Sequence, residues 1–246
     1  MKLRETEKLN SIRDYWELRA PSFSEGNREE LASSEREAWL ASIMAFAPLP
    51  DYHKVLDIGC GPGFFSIMLA QAGYEVTAVD YTENMLVEAQ QNADYYGVKI
   101  NLQQMDAQNL EFEDGCFDFI ISRNLTWNLE HPAKAYSEWL RVLRKKGKIM
   151  NNDGNHYYHY SDAFYQESYA NRKSRHRKVE GVDSKIIDNI ARDLPLSKEI
   201  RPQWDTNTLL EMGVKDLSIR ITRKEKIQLM AEEKEIIKDF QIFVEK

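Results

Sequence analysis

The stretch "VLDIGCGPGFF", residues 55–65, decides how this chain folds. A short apolar run leads into Gly59, Gly61 and Gly63, and a helix is predicted directly after them. Glycine lets the backbone turn sharply and lets a ligand come close to the main chain. In an open α/β sheet such a ligand lies outside the carboxyl ends of the strands. The stretch therefore predicts a strand, a ligand-binding loop and a helix.

Two common ligands of glycine-rich loops do not suit this one. The dinucleotide fingerprint G-x-G-x-x-G/A, aligned on Gly59 and Gly61, puts Phe64 where a small residue must allow close packing of helix and strand. The Gly-Lys-Ser/Thr ending of a Walker A loop is absent. Nothing in the loop indicates a pyrophosphate ligand.

Strands and helices alternate around this loop. Helices are predicted at 27–46, 62–72, 82–96 and 132–144, and strands at 54–58, 74–79, 99–104, 117–122 and 148–152. Later strands are predicted at 214–222 and 239–246, with 230–239 as a surface connection. This spacing predicts an α/β fold with a doubly wound, seven-stranded, mostly parallel sheet.

The chain is expected to divide into four regions. They are an N-terminal helical cap (1–50), a ligand-binding core (51–153), an inserted lid or acceptor region after strand five (154–213) and the final two strands of the core sheet (214–246).

Three carboxylates follow or close the predicted strands. Asp57 would face a ligand from the strand end, where it repels phosphate and suits an ammonium group. Asp80 ends the second strand, where a carboxylate can accept hydrogen bonds from two ribose hydroxyls. Asp106 closes the third strand, where an acceptor can bind an exocyclic amine, although a carboxylate there is often a helix cap.

The ordered set "DIGCGPG", "VDYTENML", "MDAQNL" and "FDFIISRN" resembles the class I S-adenosylmethionine-dependent methyltransferases of the small-molecule type, from about residue 54 to 153. The resemblance implies a Rossmann-like methyltransferase fold, S-adenosyl-L-methionine as cofactor and S-adenosyl-L-homocysteine as product. It assigns the methionine part to Asp57 and to the loop with Gly59, Cys60, Gly61 and Gly63. It assigns the ribose to Asp80, the adenine to Tyr81, Met85, Asp106 and Ala107, and the neighbourhood of the sulfonium to Ser122, Arg123 and Asn124.

The N-terminal segment "YWELRAPSFSEG" resembles one that folds over the cofactor in many of these enzymes. On that basis Tyr15, Arg19 and Phe23 would close the site. The alternative is an amphipathic helix that packs against the core.

The acceptor is expected beside "SRNLTWNLEHP", residues 122–132. The Asn-Pro-Pro-aromatic motif of many base-amino methyltransferases is absent, which argues against adenine or cytosine as acceptor. Trp127 would line the acceptor pocket or pack under a helix. His131 would be a general base or a helix cap.

The stretch "NHYYHYSDAFY", residues 155–165, is the second acceptor-side candidate. Tyr157, Tyr158, Tyr160 and Tyr165 would form a pocket wall or pack in the core. His156 and His159 are the other candidate bases. Their spacing also suits a shared metal ion, but such a site needs at least one more ligand and no Cys cluster or HExxH motif accompanies them, so we expect no metal.

Composition limits the partners. The 246 residues carry a formal net charge of −7, which argues against nucleic acid as a partner. The basic run "NRKSRHRK", 171–178, is read as a solvated helix face, or as a site for an acidic acceptor or RNA. No apolar run is long enough for a membrane helix, no signal peptide is recognised, and Cys60 and Cys116 look unpaired, so a cytoplasmic protein is expected.

The predicted function is methyl transfer to a small-molecule acceptor, in a monomer or homodimer. The alternatives are a tRNA or protein methyltransferase and a cofactor-binding protein that has lost the reaction.

Overall fold

The structure is a computed structural model, and it describes residues 7–171, 182–183 and 185–246. Its centre is a seven-stranded sheet in the order β3-β2-β1-β4-β5-β7-β6. The strands are β1 (Lys54–Ile58), β2 (Glu75–Asp80), β3 (Asn101–Gln104), β4 (Phe117–Arg123), β5 (Leu143–Gly154), β6 (Asp216–Leu229) and β7 (Glu232–Glu245). The pairs among β1–β5 are parallel, whereas β7 is antiparallel to both of its neighbours. The predicted α/β fold class is confirmed.

The strand order places a crevice beside β1. The chain runs from β1 to β2 and β3 on one side, then crosses to β4 on the other. Connections that leave a strand in opposite directions open a space at the carboxyl ends of the strands, and ligands of open α/β sheets bind there. The glycine loop begins at this point, directly after Ile58.

Eight α-helices surround the sheet in the described part of the chain. They are α1 (Glu7–Leu31), α2 (Glu35–Phe46), α3 (Phe64–Gln71), α4 (Glu83–Tyr96), α5 (Pro132–Val142), α6 (Ala163–Ala170), α7 (Lys185–Arg192) and α8 (Gln203–Glu211). One face of the sheet packs on α5 and α8 around Tyr136 and Trp139. The other packs on α2 and α3 around Phe65 and Phe119.

The single helix predicted at 27–46 is wrong, because the chain forms α1 and α2 with a break between them. Ser33 explains the break. Its hydroxyl donates to the carbonyl of Glu30 at 2.8 Å and accepts from the amide of Glu35 at 3.2 Å. A serine side chain that bonds neighbouring backbone groups competes with the helical hydrogen bonds.

The surface connection predicted at 230–239 is also wrong, since most of it belongs to β7. With β6 it forms a long hairpin whose charged side chains face each other across the strands. Lys224 pairs with Glu235 at 2.7 Å, and Lys226 pairs with Glu233 at 3.4 Å. The charges that suggested a loop are therefore cross-strand ion pairs on an exposed ribbon.

In the part of the chain that the structure describes, no helix is both long and apolar enough to cross a membrane.

Candidate functional site

A cavity of about 340 Å³ lies at the carboxyl ends of β1, β2 and β4. Helix α1 forms one wall, and the segment after β5 together with α7 forms another. Its volume falls within the range of small-molecule pockets. Most of the residues predicted for a site contribute to this one cavity: Tyr15, Arg19, Phe23, Gly59, Gly61, Asp80, Tyr81, Met85, Asp106, Ala107, Arg123, Asn124, Trp127, His156 and Tyr157.

The glycine loop turns back on the end of β2. The amides of Gly59 and Cys60 donate to the carbonyl of Val79 at 2.8 and 3.1 Å. Gly59 has a φ of +68°, and a Cβ built on it would lie 2.8 Å from the Leu125 side chain. Both the dihedral angle and the contact require glycine here. The turn exposes the backbone of the loop to the cavity.

Asp80 joins this loop to the start of α4. Its Oδ2 accepts from the amide of Gly61, and its Oδ1 from the amide of Thr82, both at 2.9 Å. Burial raises its pKa, against the lowering effect of these two hydrogen bonds. Each carboxylate oxygen can accept a second hydrogen bond, so Asp80 can still bind two hydroxyls of a ligand.

Asp106 offers an acceptor at the next strand end. Its Oδ1 accepts from the backbone amide and the side-chain amide of Gln108, at 2.9 and 3.0 Å. Its Oδ2 receives no hydrogen bond from any residue that the structure describes, and Asp106 lines the cavity. Together with the buried side chain of Met85 and the backbone of Ala107, this oxygen suits a flat ring with an exocyclic amine.

Asp57, Cys60 and Gly63 are placed differently from the rest of the loop. Asp57 and Cys60 line a neighbouring cavity that shares Arg19, Phe23 and other wall residues with the main one. Asp57 is buried and accepts a hydrogen bond from Ser66 at 2.5 Å. Burial raises its pKa to about 7, against the effect of Ser66. Gly63 lines neither cavity and is the N-cap residue of α3.

The end of β4 is tied to α1 and to β5. Arg123 pairs with Glu30 at 2.8 Å and lies over the rings of Trp39 and Phe64. Asn124 donates its amide to the carbonyl of Asn152 at 2.8 Å. Ser122 is fully buried and donates to the carbonyl of Ile58 at 2.9 Å, so its hydroxyl joins two strands.

The far end of the cavity, which we name the aromatic lobe, is lined by Tyr15, Trp16, Trp127, His156, Tyr157, Tyr169 and Asp188. The rings of Trp127 and Tyr157 are 5.0 Å apart, and those of Tyr15 and Trp16 are 5.2 Å apart.

The Asp188 carboxylate lies near two hydroxyls of this lobe. Burial is the main cause of the raised pKa values of Tyr157 and Tyr15; Arg19 acts to lower that of Tyr15, and the charge of Asp188 acts to raise both. Trp16, Tyr169 and Asp188 were not predicted as site residues. They follow no motif, and only the packing of α1, α6 and α7 brings them together.

A network of buried charged side chains lies next to the aromatic lobe and contacts it through His156. Nε2 of His156 lies 3.2 Å from Oδ1 of Asp153. Oδ2 of Asp153 accepts hydrogen bonds from the Thr126 hydroxyl and the Trp127 amide, and it lies 2.9 Å from Nη1 of Arg201. Burial acts to raise the pKa of Asp153, but Arg201 and His156 outweigh it and hold the pKa well below its usual range.

Arg201 is fully buried and joins this network to α8. It donates to Asp205 through Nε at 2.8 Å and Nη2 at 2.6 Å, and Nη2 also donates to Thr126 at 2.7 Å. Tyr136 donates to Asp205 at 2.6 Å. The network was not predicted, although "NNDG" at the end of β5 is a polar run in a buried strand and hinted at it.

The other acceptor-side candidates lie outside the cavity. His131 is exposed at the N-cap position of α5, where its side chain makes no cap hydrogen bond, and it lines a separate cavity with Pro195 and Trp204. His159 stacks on Tyr169 with ring centroids 3.8 Å apart. Tyr160 donates its hydroxyl to the carbonyl of Asp188 at 3.1 Å.

Tyr158 and Tyr165 pack against each other, with ring centroids 5.0 Å apart. Among the described residues, no group of three His, Cys, Asp or Glu side chains is arranged to hold a metal ion. The basic run lies outside the described residues, apart from Asn171.

The family whose sequence model matches is described as "Methyltransferase domain", and the match covers residues 56–151. A phosphatidylethanolamine N-methyltransferase of Cereibacter sphaeroides is 33% identical over 99 residues, which are 39% of this chain and 48% of the relative. A demethylmenaquinone methyltransferase of Lactiplantibacillus plantarum is 30% identical over 147 residues, which are 58% of this chain and 62% of the relative. The chain thus spans less than two thirds of the length of either relative.

Among solved structures, the YcgJ protein from Bacillus subtilis is similar over 84% of this chain and 97% of its own, with a TM-score of 0.58 and 19% identity. At this identity the likeness shows a shared fold.

Proposed function

Because the chain belongs to the class I S-adenosylmethionine-dependent methyltransferases, we propose that it binds S-adenosylmethionine in the main cavity and methylates a small molecule held in the aromatic lobe. The observation that carries the proposal is the shared cavity. It brings together the backbone of the glycine loop, the strand-end carboxylates Asp80 and Asp106, and a lobe of aromatic rings.

The residues present fit this cofactor. Asp80 has acceptor capacity left for two ribose hydroxyls, and Oδ2 of Asp106 has it for the adenine amine. Met85 and Tyr81 line the cavity between these two carboxylates. The neighbouring cavity is lined by Asp57 and Arg19, and by Glu30 and Arg123, which pair with each other. The carboxyl group of Asp57 and the guanidinium of Arg19 suit the amino and carboxylate groups of the methionine part.

When bound, S-adenosylmethionine supplies a methyl group on a positively charged sulfur, which is already activated for displacement. The chain has to align the acceptor with that methyl group, and such alignment alone can supply several kcal/mol. Trp127 and Tyr15 are buried and Tyr157 is half-buried, so their rings give the lobe firm walls. Those walls also exclude water from the acceptor.

His156 is the base that we propose for an acceptor that is protonated before transfer. Of the three histidines considered, it is the one that lines the cavity, and its ring lies beside Trp127 at 5.7 Å between centroids. Its Nε2 faces the Asp153 carboxylate at 3.2 Å, an arrangement in which a carboxylate orients a catalytic imidazole.

The acceptor is expected to depend on residues beyond the shared segment. The named relatives differ in the acceptors that their names give, phosphatidylethanolamine and demethylmenaquinone. The cofactor residues proposed above fall largely within 56–151, whereas Trp16, Tyr157 and Asp188 lie outside it. We therefore propose that α1 and the segment after β5 select the acceptor.

Titration calorimetry with S-adenosylhomocysteine tests the cofactor site. Asp80→Asn replaces an acceptor of charge-assisted hydrogen bonds, each worth about 1.5–3 kcal/mol, and should weaken binding about tenfold to a hundredfold. Asp94→Asn is the matched control, since Asp94 is exposed on α4 and contacts Gln90. Absence of binding to the wild type refutes the proposal.

Activity needs a second measurement. Transfer of a labelled methyl group from S-adenosylmethionine to compounds in a cell extract, separated by size, should give a labelled small molecule. A chain that binds the cofactor but labels nothing would be a binding protein without the reaction. Label found only on RNA or protein would contradict a small-molecule acceptor.

A further inference from the structure

We propose that the acceptor carries a positively charged ammonium group, which the aromatic lobe binds between its rings and the Asp188 carboxylate. This inference rests on the proposed function and names the substrate class of the same site. It concerns the group that anchors the acceptor, whichever atom receives the methyl group.

The first observation is the ring lining. Trp127 and Tyr157 come from one wall of the lobe, and Tyr15 and Trp16 come from α1 on the other. A cation held over the face of such rings is attracted by their quadrupoles, by about 0.5–2 kcal/mol for each contact. Rings on two sides can surround a compact cation, which a single stacked ring cannot.

The second observation is the carboxylate. Asp188 lies on α7, is half-buried and lines the lobe. Burial is the main cause of the raised pKa values of Tyr15 and Tyr157, and the Asp188 charge adds to both, while Arg19 acts to lower that of Tyr15. The described residues supply no ion pair to it. A carboxylate in such surroundings favours a ligand of opposite charge, because an uncompensated charge is costly to desolvate.

The third observation concerns the positive side chains of the cavity. Arg123 pairs with Glu30 at 2.8 Å, and Arg13 pairs with Asp14 at 3.2 Å. Arg19 lines both the main and the neighbouring cavity. Two of these three arginines thus have a carboxylate partner within the protein, whereas Asp188 lines the lobe without a cationic partner among the described residues.

Three compounds of nearly equal shape test the proposal: choline, its uncharged isostere 3,3-dimethylbutan-1-ol, and the anion 3,3-dimethylbutanoate. Binding is followed by tryptophan fluorescence, since Trp16 and Trp127 line the lobe, with and without saturating S-adenosylhomocysteine. The wild type should bind choline at least about tenfold more tightly than the alcohol, and the anion most weakly.

Asp188→Asn should remove most of this preference, and Asp188→Glu should retain it. Asp193→Asn is the matched control, because Asp193 is exposed just after α7 and does not line the cavity. Circular dichroism verifies that each variant is folded.

The inference is overturned if the alcohol or the anion binds the wild type as tightly as choline, or if the preference survives in Asp188→Asn. Cofactor binding separates this failure from that of the proposed function. A chain that binds S-adenosylhomocysteine without preferring choline refutes the inference alone. A chain that prefers choline but binds no S-adenosylhomocysteine refutes the proposed function.

Discussion

Replacement of Arg201 by Met tests the buried network beneath the aromatic lobe. The wild-type guanidinium is fully buried and holds Asp205 through two hydrogen bonds, at 2.8 and 2.6 Å. It also lies 2.9 Å from Asp153. Met fills a similar volume without charge, so the variant removes the guanidinium from two buried carboxylates, of which Asp153 keeps only His156 as an ion-pair partner among the described residues.

The expected loss of unfolding free energy at neutral pH is about 3–5 kcal/mol, the usual cost of removing one partner of a buried ion pair. For a chain of this size each kcal/mol shifts the melting temperature by about 2–4 °C, so a decrease of roughly 6–20 °C is expected. Burying Met offsets part of the loss, which places the result toward the lower end of the range.

The unfolding free energy that Arg201→Met loses relative to the wild type should become smaller as the pH falls. In the wild type the pKa of Asp153 is held below its unfolded value, so its contribution is present above about pH 4 and is lost as the pH falls further. In Arg201→Met burial dominates and the pKa rises above the unfolded value. The carboxylate then destabilises the fold above about pH 4 and ceases to do so below it. Both effects reduce the difference in unfolding free energy between the wild type and Arg201→Met at acidic pH.

Urea denaturation of both proteins between pH 3 and pH 8 measures the difference. Arg223→Met is the matched control: Arg223 pairs with Asp239 on the surface, about a third exposed, and its loss should cost at most about 1 kcal/mol. A loss below about 1 kcal/mol for Arg201→Met, or one that does not change with pH, would refute the network as described.

Two further predictions concern the glycine loop and its neighbour. Burial raises the pKa of Asp57 to about 7, so the wild type should lose a few kcal/mol of unfolding free energy between about pH 4 and pH 7 relative to Asp57→Asn. Urea denaturation of both proteins across this pH range measures the difference. Unfolding free energies that change with pH in the same way in both proteins would contradict the prediction. Gly59→Ala should lower the unfolding free energy by about 1–3 kcal/mol, because φ is +68° and the new Cβ meets Leu125. Gly26 lies inside α1 with no atom near a new Cβ, so Gly26→Ala should instead raise the unfolding free energy by about 0.5–1 kcal/mol. Equal changes in the two alanine variants would refute the requirement for glycine at position 59.

Much of the sheet could be predicted from the sequence, because local patterns decide it. The apolar run that becomes β1 and the glycines after it carry their own strand and turn preferences. The strand-end positions of Asp80 and Asp106 follow from the parallel order, since carboxyl ends of parallel strands meet at one edge.

The aromatic lobe could not be predicted in the same way. Trp16 and Asp188 are 172 positions apart and belong to amphipathic helices whose packing depends on long-range contacts. The tyrosines of "NHYYHYSDAFY" illustrate the same limit. Tyr157 lines the cavity, while Tyr158 and Tyr160 turn away from it, because a short 3₁₀ turn at Tyr158–Tyr160 rotates successive side chains.

Helix α4 is capped by a residue that belongs to α1. The carboxylate of Glu17 accepts from the amides of Glu83 and Asn84, both at 3.0 Å, while the side chain of Thr82 makes no cap of its own. Since α1 is also a wall of the main cavity, any movement that lifts α1 away from the cavity must uncap α4 as well. The first turn of α4 also places Met85 in the wall of the cavity. A movement of α1 that opens the cavity would therefore break the two hydrogen bonds from Glu17 and loosen a second wall at the same time.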